Sequence, residues 1–241
     1  MPLLEVTNIS KSFGGNQAVK GLSFTLESGE ILGLIGPNGA GKTTAFNMIA
    51  GYFPPDTGEV RFKGESLAGL RPWDISHRKI ARTFQLSKPF GDLTVLENAM
   101  VGGFHHQGSR VAARRKAEEV LAFVGMSDRL GTEAHNLTAT DRKRLELARC
   151  LATDPELLLL DEVVAGATPA EAVAMMDVIR KIRDTGVTII MVEHVMRVVM
   201  GLSHRVLVLH HGETIAIGEP QAVSRDPLVL KAYLGARYGT A

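Results

Sequence analysis

Gly36-Pro37-Asn38-Gly39-Ala40-Gly41-Lys42-Thr43-Thr44 is the stretch on which the reading of this chain turns. Gly36 to Thr43 fits G-x-x-x-x-G-K-[ST], a loop that wraps polyphosphate, and its flanks are those the pattern requires. Ile31-Leu32-Gly33-Leu34-Ile35 ahead of it reads as a buried strand, and Thr44 to Ala50 behind it carries apolar residues at helical spacing. Glycines let the backbone curl until successive N–H groups point inward, and the new helix turns its positive end toward an anion. Lys42 is then placed to bridge the outer phosphates, and the Thr43 hydroxyl to ligate Mg²⁺. A glycine-rich turn that merely joins strand to helix is the competing reading, and the strand–loop–helix context disfavours it. The stretch reads as a nucleotide site.

Composition bounds the rest. At 241 residues the chain suits one large domain or a core with a smaller insert. A compact chain of this size buries roughly 70–75% of its unfolded surface, so no metal or disulfide staple is required. A formal net charge of +1 gives no electrostatic footprint for nucleic acid. The lone Cys150, in the helical pattern Leu145 to Leu151, reads as core packing, and one cysteine suits a reducing cytosol. Met1-Pro2-Leu3-Leu4-Glu5 does not read as a secretory signal, and no apolar run reaches the roughly 18 residues of a spanning helix. A soluble chain is expected, with any membrane association through a partner.

Strands are expected at Leu3–Ile9, Ala18–Leu26, Ile31–Ile35 and Glu59–Phe62, the last after the turn Pro54-Pro55-Asp56-Thr57-Gly58. Between about 93 and 153 the pattern turns helical, at Thr94–Met100, Arg110–Val124 and Asp141–Thr153. A strand at Leu157–Leu160, a helix from about Pro169 to Arg183, and strands at Val187–Val192, Arg205–His210 and Glu213–Ile217 follow. Strands alternate with helices at both ends around a helical insert, so the fold class is α/β with a helical subdomain. Residues 1–241 form a single domain in this reading.

Leu157-Leu158-Leu159-Leu160-Asp161-Glu162 is an apolar strand ending in two carboxylates. Beside a phosphate loop, Asp161 would reach Mg²⁺, and Glu162 would face the space beyond the γ-phosphate, where a carboxylate polarises the attacking water. A solvated strand end is the bland alternative, and the upstream loop reverses those odds. Val187 to Val192 leads through Glu193 to His194, in reach of the same phosphate. Gln85, placed at the end of a short strand in Ala81-Arg82-Thr83-Phe84-Gln85, is a candidate to sense metal or water. Phe13 is a candidate to stack on a purine ring, although a phenylalanine at a strand end is more commonly core. The pairs His105-His106 and His210-His211 do not read as a metal site: neighbours on a strand face opposite ways and no Cys or carboxylate cluster accompanies them.

The succession of phosphate loop, Gln85, helical insert, Leu137-Thr138-Ala139-Thr140-Asp141, the Asp161-Glu162 strand end and His194 resembles the ATP-binding cassette (ABC) ATPases over nearly the whole chain. Ala81–Gln85, Leu93–Asn98, Arg144–Arg149 and Ala232-Tyr233-Leu234-Gly235 resemble the ATPase subunits of branched-chain amino acid importers in particular. The resemblance implies a P-loop NTPase core, a RecA-like mixed sheet with flanking helices, plus an antiparallel β subdomain and the inserted helical subdomain. It implies ATP and Mg²⁺ as ligands, held by Gly36, Pro37, Asn38, Gly39, Ala40, Gly41, Lys42, Thr43 and Thr44, with Phe13 on adenine. Thr43, Gln85 and Asp161 would serve the metal, Glu162 would be the base, and His194 the γ-phosphate switch. Head-to-tail pairing with a second cassette, transmembrane permease subunits and, indirectly, a solute-binding protein are the implied partners. The location implied is peripheral, on the cytoplasmic face of the inner membrane. The solute stays open among branched-chain amino acids, urea, other amides and aromatic acids. A non-transport cassette and a regulatory cassette with little hydrolysis are the alternative readings.

The chain departs from the family pattern at the signature, usually Leu-Ser-x-Gly-Gln. Thr138 keeps a hydroxyl, Thr140 puts a β-branched side chain in place of glycine, and Asp141 brings a negative charge toward a polyanion. At about 8 Å and an effective dielectric near 20 such a pair costs roughly 2 kcal/mol. Arg142, Lys143 and Arg144 are expected to offset it, and Thr138 with Asp141 to form a capping box. After Glu162 the chain reads Val163-Val164-Ala165-Gly166-Ala167-Thr168, where the family has Pro first and Asp or Asn last. A weakened signature would favour a different chain as partner cassette.

Overall fold

A computed structural model describes residues 1–85, 88–104 and 108–234. His105 and His106, the first two residues of the surface segment Leu86–Phe90, and Gly235 of the closing motif lie outside the described residues. In chain order the strands and α-helices are β1 (Leu4–Phe13), β2 (Asn16–Leu26), β3 (Ile31–Ile35), α1 (Lys42–Ile49), β4 (Thr57–Phe62), β5 (Glu65–Ser66), α2 (Pro72–His77), β6 (Ile80–Arg82), α3 (Val95–Gly103), α4 (Arg110–Phe123), α5 (Ala139–Leu151), β7 (Leu157–Asp161), α6 (Pro169–Asp184), β8 (Thr188–Val192), α7 (Met196–Leu202), β9 (Arg205–His210), β10 (Glu213–Gly218), α8 (Pro220–Val223) and α9 (Pro227–Leu234). They fall into two compact units, Met1–Ile75 with Thr188–Ala241, and Ser76–Val187.

The first unit holds an antiparallel sheet in the order β2-β1-β4-β5. Leu4, Val6 and Ile9 of β1 are buried while Thr7 and Asn8 are exposed, so one face of the strand covers a core. Leu4 pairs with Leu26 on one side and with Phe62 on the other. A second set of strands runs β10-β9-β3-β8, with β3 parallel to both β8 and β9, and β10 antiparallel at its edge. All of Ile31–Ile35 and Thr188–Val192 is buried, as expected of parallel strands covered on both faces.

In the second unit β6 runs parallel to β7, and α3 packs on α4 and α5. Thr94 caps α3 in a reciprocal capping box with Glu97. The fully buried Asn98 ties down the preceding loop: its amide donates to the carbonyls of Phe90, Leu93 and Thr94 and its oxygen accepts the Phe90 N–H. Cys150 is buried and donates to the Arg82 carbonyl at 3.2 Å; burial, helped by the charge of Glu146, pushes its thiol up to about 12. It is a core residue, not a reactive one.

Two expectations need correcting. Gln85 does not end a strand: β6 stops at Arg82, because the Phe84 N–H goes to the Glu146 carboxylate rather than to a ladder. The helical segments α2 and α7–α9, and the short β5, have no expected counterpart. No helix among the described residues is long and apolar enough to cross a membrane.

Candidate active site

In the first unit, β3 delivers the chain to Gly36, where a Cβ would run into the Leu209 carbonyl oxygen. Gly41, at φ +105, is the N-cap of α1, offers no side-chain cap, and has the Ala18 carbonyl where a Cβ would lie. Only glycine fits both positions. The Ala40 N–H donates to Pro37 O at 3.1 Å, and the Ala40 carbonyl accepts the Gly212 N–H at 3.1 Å, which fastens the loop to the β9–β10 turn. Asn38 and Gly39 are exposed at the crest, with Thr43 exposed and Thr44 half-buried just beyond. Lys42 is 7% exposed, and its ammonium donates to Gly36 O at 2.7 Å and Pro37 O at 3.0 Å. The loop is thus a cradle closed around its own cation at the positive end of a helix, which suits an anion.

His194 belongs to this unit too. β3 pairs with β8 in parallel register, Leu34 opposite Val192, so Gly36 and His194 leave the sheet at the same level. His194 is exposed, whereas Glu193 before it is buried. Phe13, at the end of β1, is 48% exposed and takes the edge of Phe53, with centroids 5.3 Å apart at 83°. Lys11 lies 5.9 Å from the Phe13 ring centre and is anchored on Asp56 at 2.6 Å, so the ring is braced rather than buried. Tyr233 of α9, 41% exposed, lies alongside Gly36, a neighbour that the sequence reading misses. Burial raises its phenol, and the backbone of Gly36, in hydrogen-bonding position, opposes the shift. The Ala232–Gly235 motif marks the segment but not this contact.

In the second unit Asp161 ends β7 at 4% exposure, its N–H donating to Thr83 Oγ1 at 2.9 Å and its carboxylate accepting from Arg82 at 3.1 Å. That guanidinium gives a buried oxygen-donor group a cationic partner, and carboxylate oxygens are the donors a hard cation takes. Glu162 follows at φ +51, a left-handed conformation costing a non-glycine residue about 1–2 kcal/mol. Its carboxylate accepts from Gln85 Nε2 at 3.0 Å. Lys143, on α5, donates to the Glu162 carbonyl. No local pattern points to Lys143.

The signature segment is resolved differently from expectation. Thr138 caps α5, accepting the Asp141 N–H at 3.2 Å, but the reciprocal half of the capping box is absent. Asp141 instead accepts the Thr138 hydroxyl at 2.7 Å and Arg129 at 2.8 Å. Its charge is therefore met by Arg129, not by the Arg142–Arg144 run: Arg142 is spent on the His135 carbonyl, and Lys143 on Glu162 and Ala165. Glu171 is held below its ordinary value by the Thr168 N–H, then by the hydroxyls of Thr168 and Thr140. Thr168 and Glu171 make the reciprocal capping box of α6, with Pro169 at its first position. Thr168-Pro169-Ala170-Glu171 has the sequence pattern of such a box. The rings of His210 and His211 lie with centres 4.1 Å apart, tilted by 57°, because His211 sits in a turn at φ +50 and not on the strand. Among the described residues no cluster of His, Cys, Asp or Glu that could hold a metal accompanies them.

Residues 19–165 match the family model described as ABC transporter, and residues 213–239 match one described as branched-chain amino acid ATP-binding cassette transporter. The high-affinity branched-chain amino acid transport ATP-binding protein LivG of Salmonella typhimurium is 38% identical over 252 residues, covering 97% of this chain and 98% of that one. Its counterpart BraF of Pseudomonas aeruginosa is 35% identical over 250 residues, covering 97% and 98%. Among solved structures, a nucleotide-free ATP-binding cassette from an ABC transporter superposes with a TM-score of 0.89 at 30% identity, covering 98% of this chain and 100% of that one. The ADP conformation of MJ1267, another such cassette, gives 0.89 at 30% identity over 98% and 99%.

Proposed function

The chain belongs to the ABC transporter family, and from that premise we propose that it is the ATP-binding, ATP-hydrolysing subunit of an importer for branched-chain amino acids or a related small solute. The closed glycine cradle around Lys42 carries the nucleotide half of this reading. The match of residues 213–239 and the names of the relatives support the solute half.

The residues then take these roles. Gly36, Pro37, Asn38, Gly39, Ala40, Gly41, Lys42, Thr43 and Thr44 wrap the phosphates, and Phe13 offers its exposed ring to adenine. Hydrolysis depends on Mg²⁺, which would neutralise charge on the outer phosphates, with Thr43, Gln85 and Asp161 as the oxygen donors assigned to it. Glu162 takes the proton of the attacking water, and His194 holds the γ-phosphate. Thr138, Thr140 and Asp141 face the nucleotide of a second cassette. Residues 1–241 work as one cassette, peripheral to the cytoplasmic face of the inner membrane, and driving permease subunits served by a solute-binding protein. Nucleic acid is not a partner in this reading, in keeping with the net charge of +1.

The deciding experiment reconstitutes the chain with its permease and second cassette in vesicles. Labelled leucine, isoleucine or valine should accumulate only with Mg·ATP supplied on this chain's side. Hydrolysis that no membrane partner stimulates, with no solute moved, would overturn the importer reading.

A further inference from the structure

Lys143 points its ammonium into the segment that follows β7, donating to Glu162 O at 2.9 Å and Ala165 O at 2.6 Å. The Glu162 carbonyl also accepts the Ala165 N–H at 3.2 Å, so these residues close a tight turn. Val163 and Val164 within it are buried at 5% and 2%, and Gly166 leaves it at φ +76. The turn is thus fastened from inside by two apolar side chains and across its carbonyls by one cation. An ammonium is well suited to hold carbonyls together, since it has three donors and no acceptor, and its charge strengthens each bond.

Glu162 has special need of such a fastening. At φ +51 it stands where residues with a Cβ are rarely found. Relaxation to an ordinary φ would rotate the Cα–Cβ bond and carry the carboxylate off Gln85, whose amide now meets it at 3.0 Å. Gln85 fixes the tip of the side chain, and Lys143 fixes the backbone it grows from. We infer that Lys143 is a positioning residue for hydrolysis, clamping the Glu162–Ala165 turn so that the Glu162 carboxylate stays aimed at the attacking water. This inference rests on Glu162 being the base.

The test compares steady-state hydrolysis by the full chain assembled with its partner subunits. Lys143→Met keeps the aliphatic stem and removes the donors; it should lower kcat about 10- to 100-fold, the cost of a misplaced reacting group, with KM and ATP affinity within about twofold of the parent. Lys143→Arg, which restores donors, should regain most of that loss. Added to Glu162→Gln, Lys143→Met should lower the residual turnover no further, since it acts through a group already removed. Should Lys143→Met not fold, Lys143→Gln, with one amide donor pair, stands in for it and should show a smaller loss of the same kind. Unchanged kcat in the Met or Gln variant, a loss confined to KM, or the same fold-loss in the Glu162→Gln background would each overturn the inference. If Glu162→Gln alone turned over at the parental rate, the base assignment itself would fail; if it is inactive while Lys143→Met is unaffected, only the role of Lys143 fails.

Discussion

Gln85 and Glu162 meet side chain to side chain at 3.0 Å although 77 residues separate them in the chain. Gln85 is exposed, in the bend after β6, on the run that leads toward Phe90. The amide donates to the carboxylate and aims it, so each residue has a separable effect. Glu162→Gln should keep ATP affinity and lower turnover by about 10²–10⁴, the usual worth of a general base. Gln85→Ala should lower turnover less, and should blunt its stimulation by membrane partners. Equilibrium nucleotide binding beside phosphate release in the reconstituted complex measures both, and a parental rate in Glu162→Gln removes it from the base role.

Lys42 gives a contrasting outcome. Its ammonium is buried on the Gly36 and Pro37 carbonyls, the same loop that is proposed to receive phosphate. Lys42→Ala should therefore weaken ATP binding itself, with a rise in Kd of about tenfold or more, on the order of 1.4 kcal/mol. Titration with a fluorescent ATP analogue reads this directly; an unchanged Kd with lowered turnover would place Lys42 in the transition state alone.

The helix caps make stability depend on acid. Glu97, accepting the Thr94 N–H and hydroxyl, and Glu171, accepting the Thr168 N–H and the hydroxyls of Thr168 and Thr140, both lie below their ordinary value of 4.5. A depressed carboxylate contributes stability above its unfolded value, and that contribution is lost as pH falls through the folded one. The melting midpoint should thus drop as pH is lowered from about 5 toward 3, and Glu97→Gln with Glu171→Gln should flatten that part of the curve. A double variant with the parental pH slope would show that other groups carry it.

What is legible in the chain is whatever a local pattern decides. Ile31–Ile35 is apolar throughout, the loop after it matches a spacing rule, and the observed strand has those same bounds. Arg205–His210, apolar between its ends, is also observed with its expected bounds. The contacts that tune the site are not legible because they join distant residues without a pattern between them. Asp141 reads in sequence as facing its immediate neighbours, yet it pairs with Arg129, brought alongside by the turn ahead of α5. The same holds for Lys143 and the carbonyls of Glu162 and Ala165. The left-handed φ of Glu162 has no signature at all, since glycine is the residue that would announce it.

The altered signature leads to the last prediction. Asp141 is neutralised by Arg129, so the charge objection to a nearby polyanion shrinks. The Thr138 hydroxyl, however, gives its hydrogen to Asp141 at 2.7 Å while accepting the Asp141 N–H, so it is committed within its own helix. Thr140 still carries a β-branched side chain where close backbone approach is wanted, and its hydroxyl is turned to Glu171. On the proposed reading, what this chain would lend to a second cassette is therefore weaker than what it keeps for itself. A homodimer would hold two impaired sites, so a different cassette with an intact signature is the proposed partner. In that complex Glu162→Gln here should abolish most hydrolysis, while the matching change in the partner should matter much less. Thr140→Gly with Asp141→Gln should raise hydrolysis at the partner's phosphate loop, because it replaces the charged acceptor of the Thr138 hydroxyl by a neutral one and opens the backbone together. Single-site phosphate release, with one base disabled at a time, separates the two nucleotides. Equal losses from the two base substitutions, with no gain from the restored signature, would mean that Thr138 suffices as it stands and that the two sites work alike.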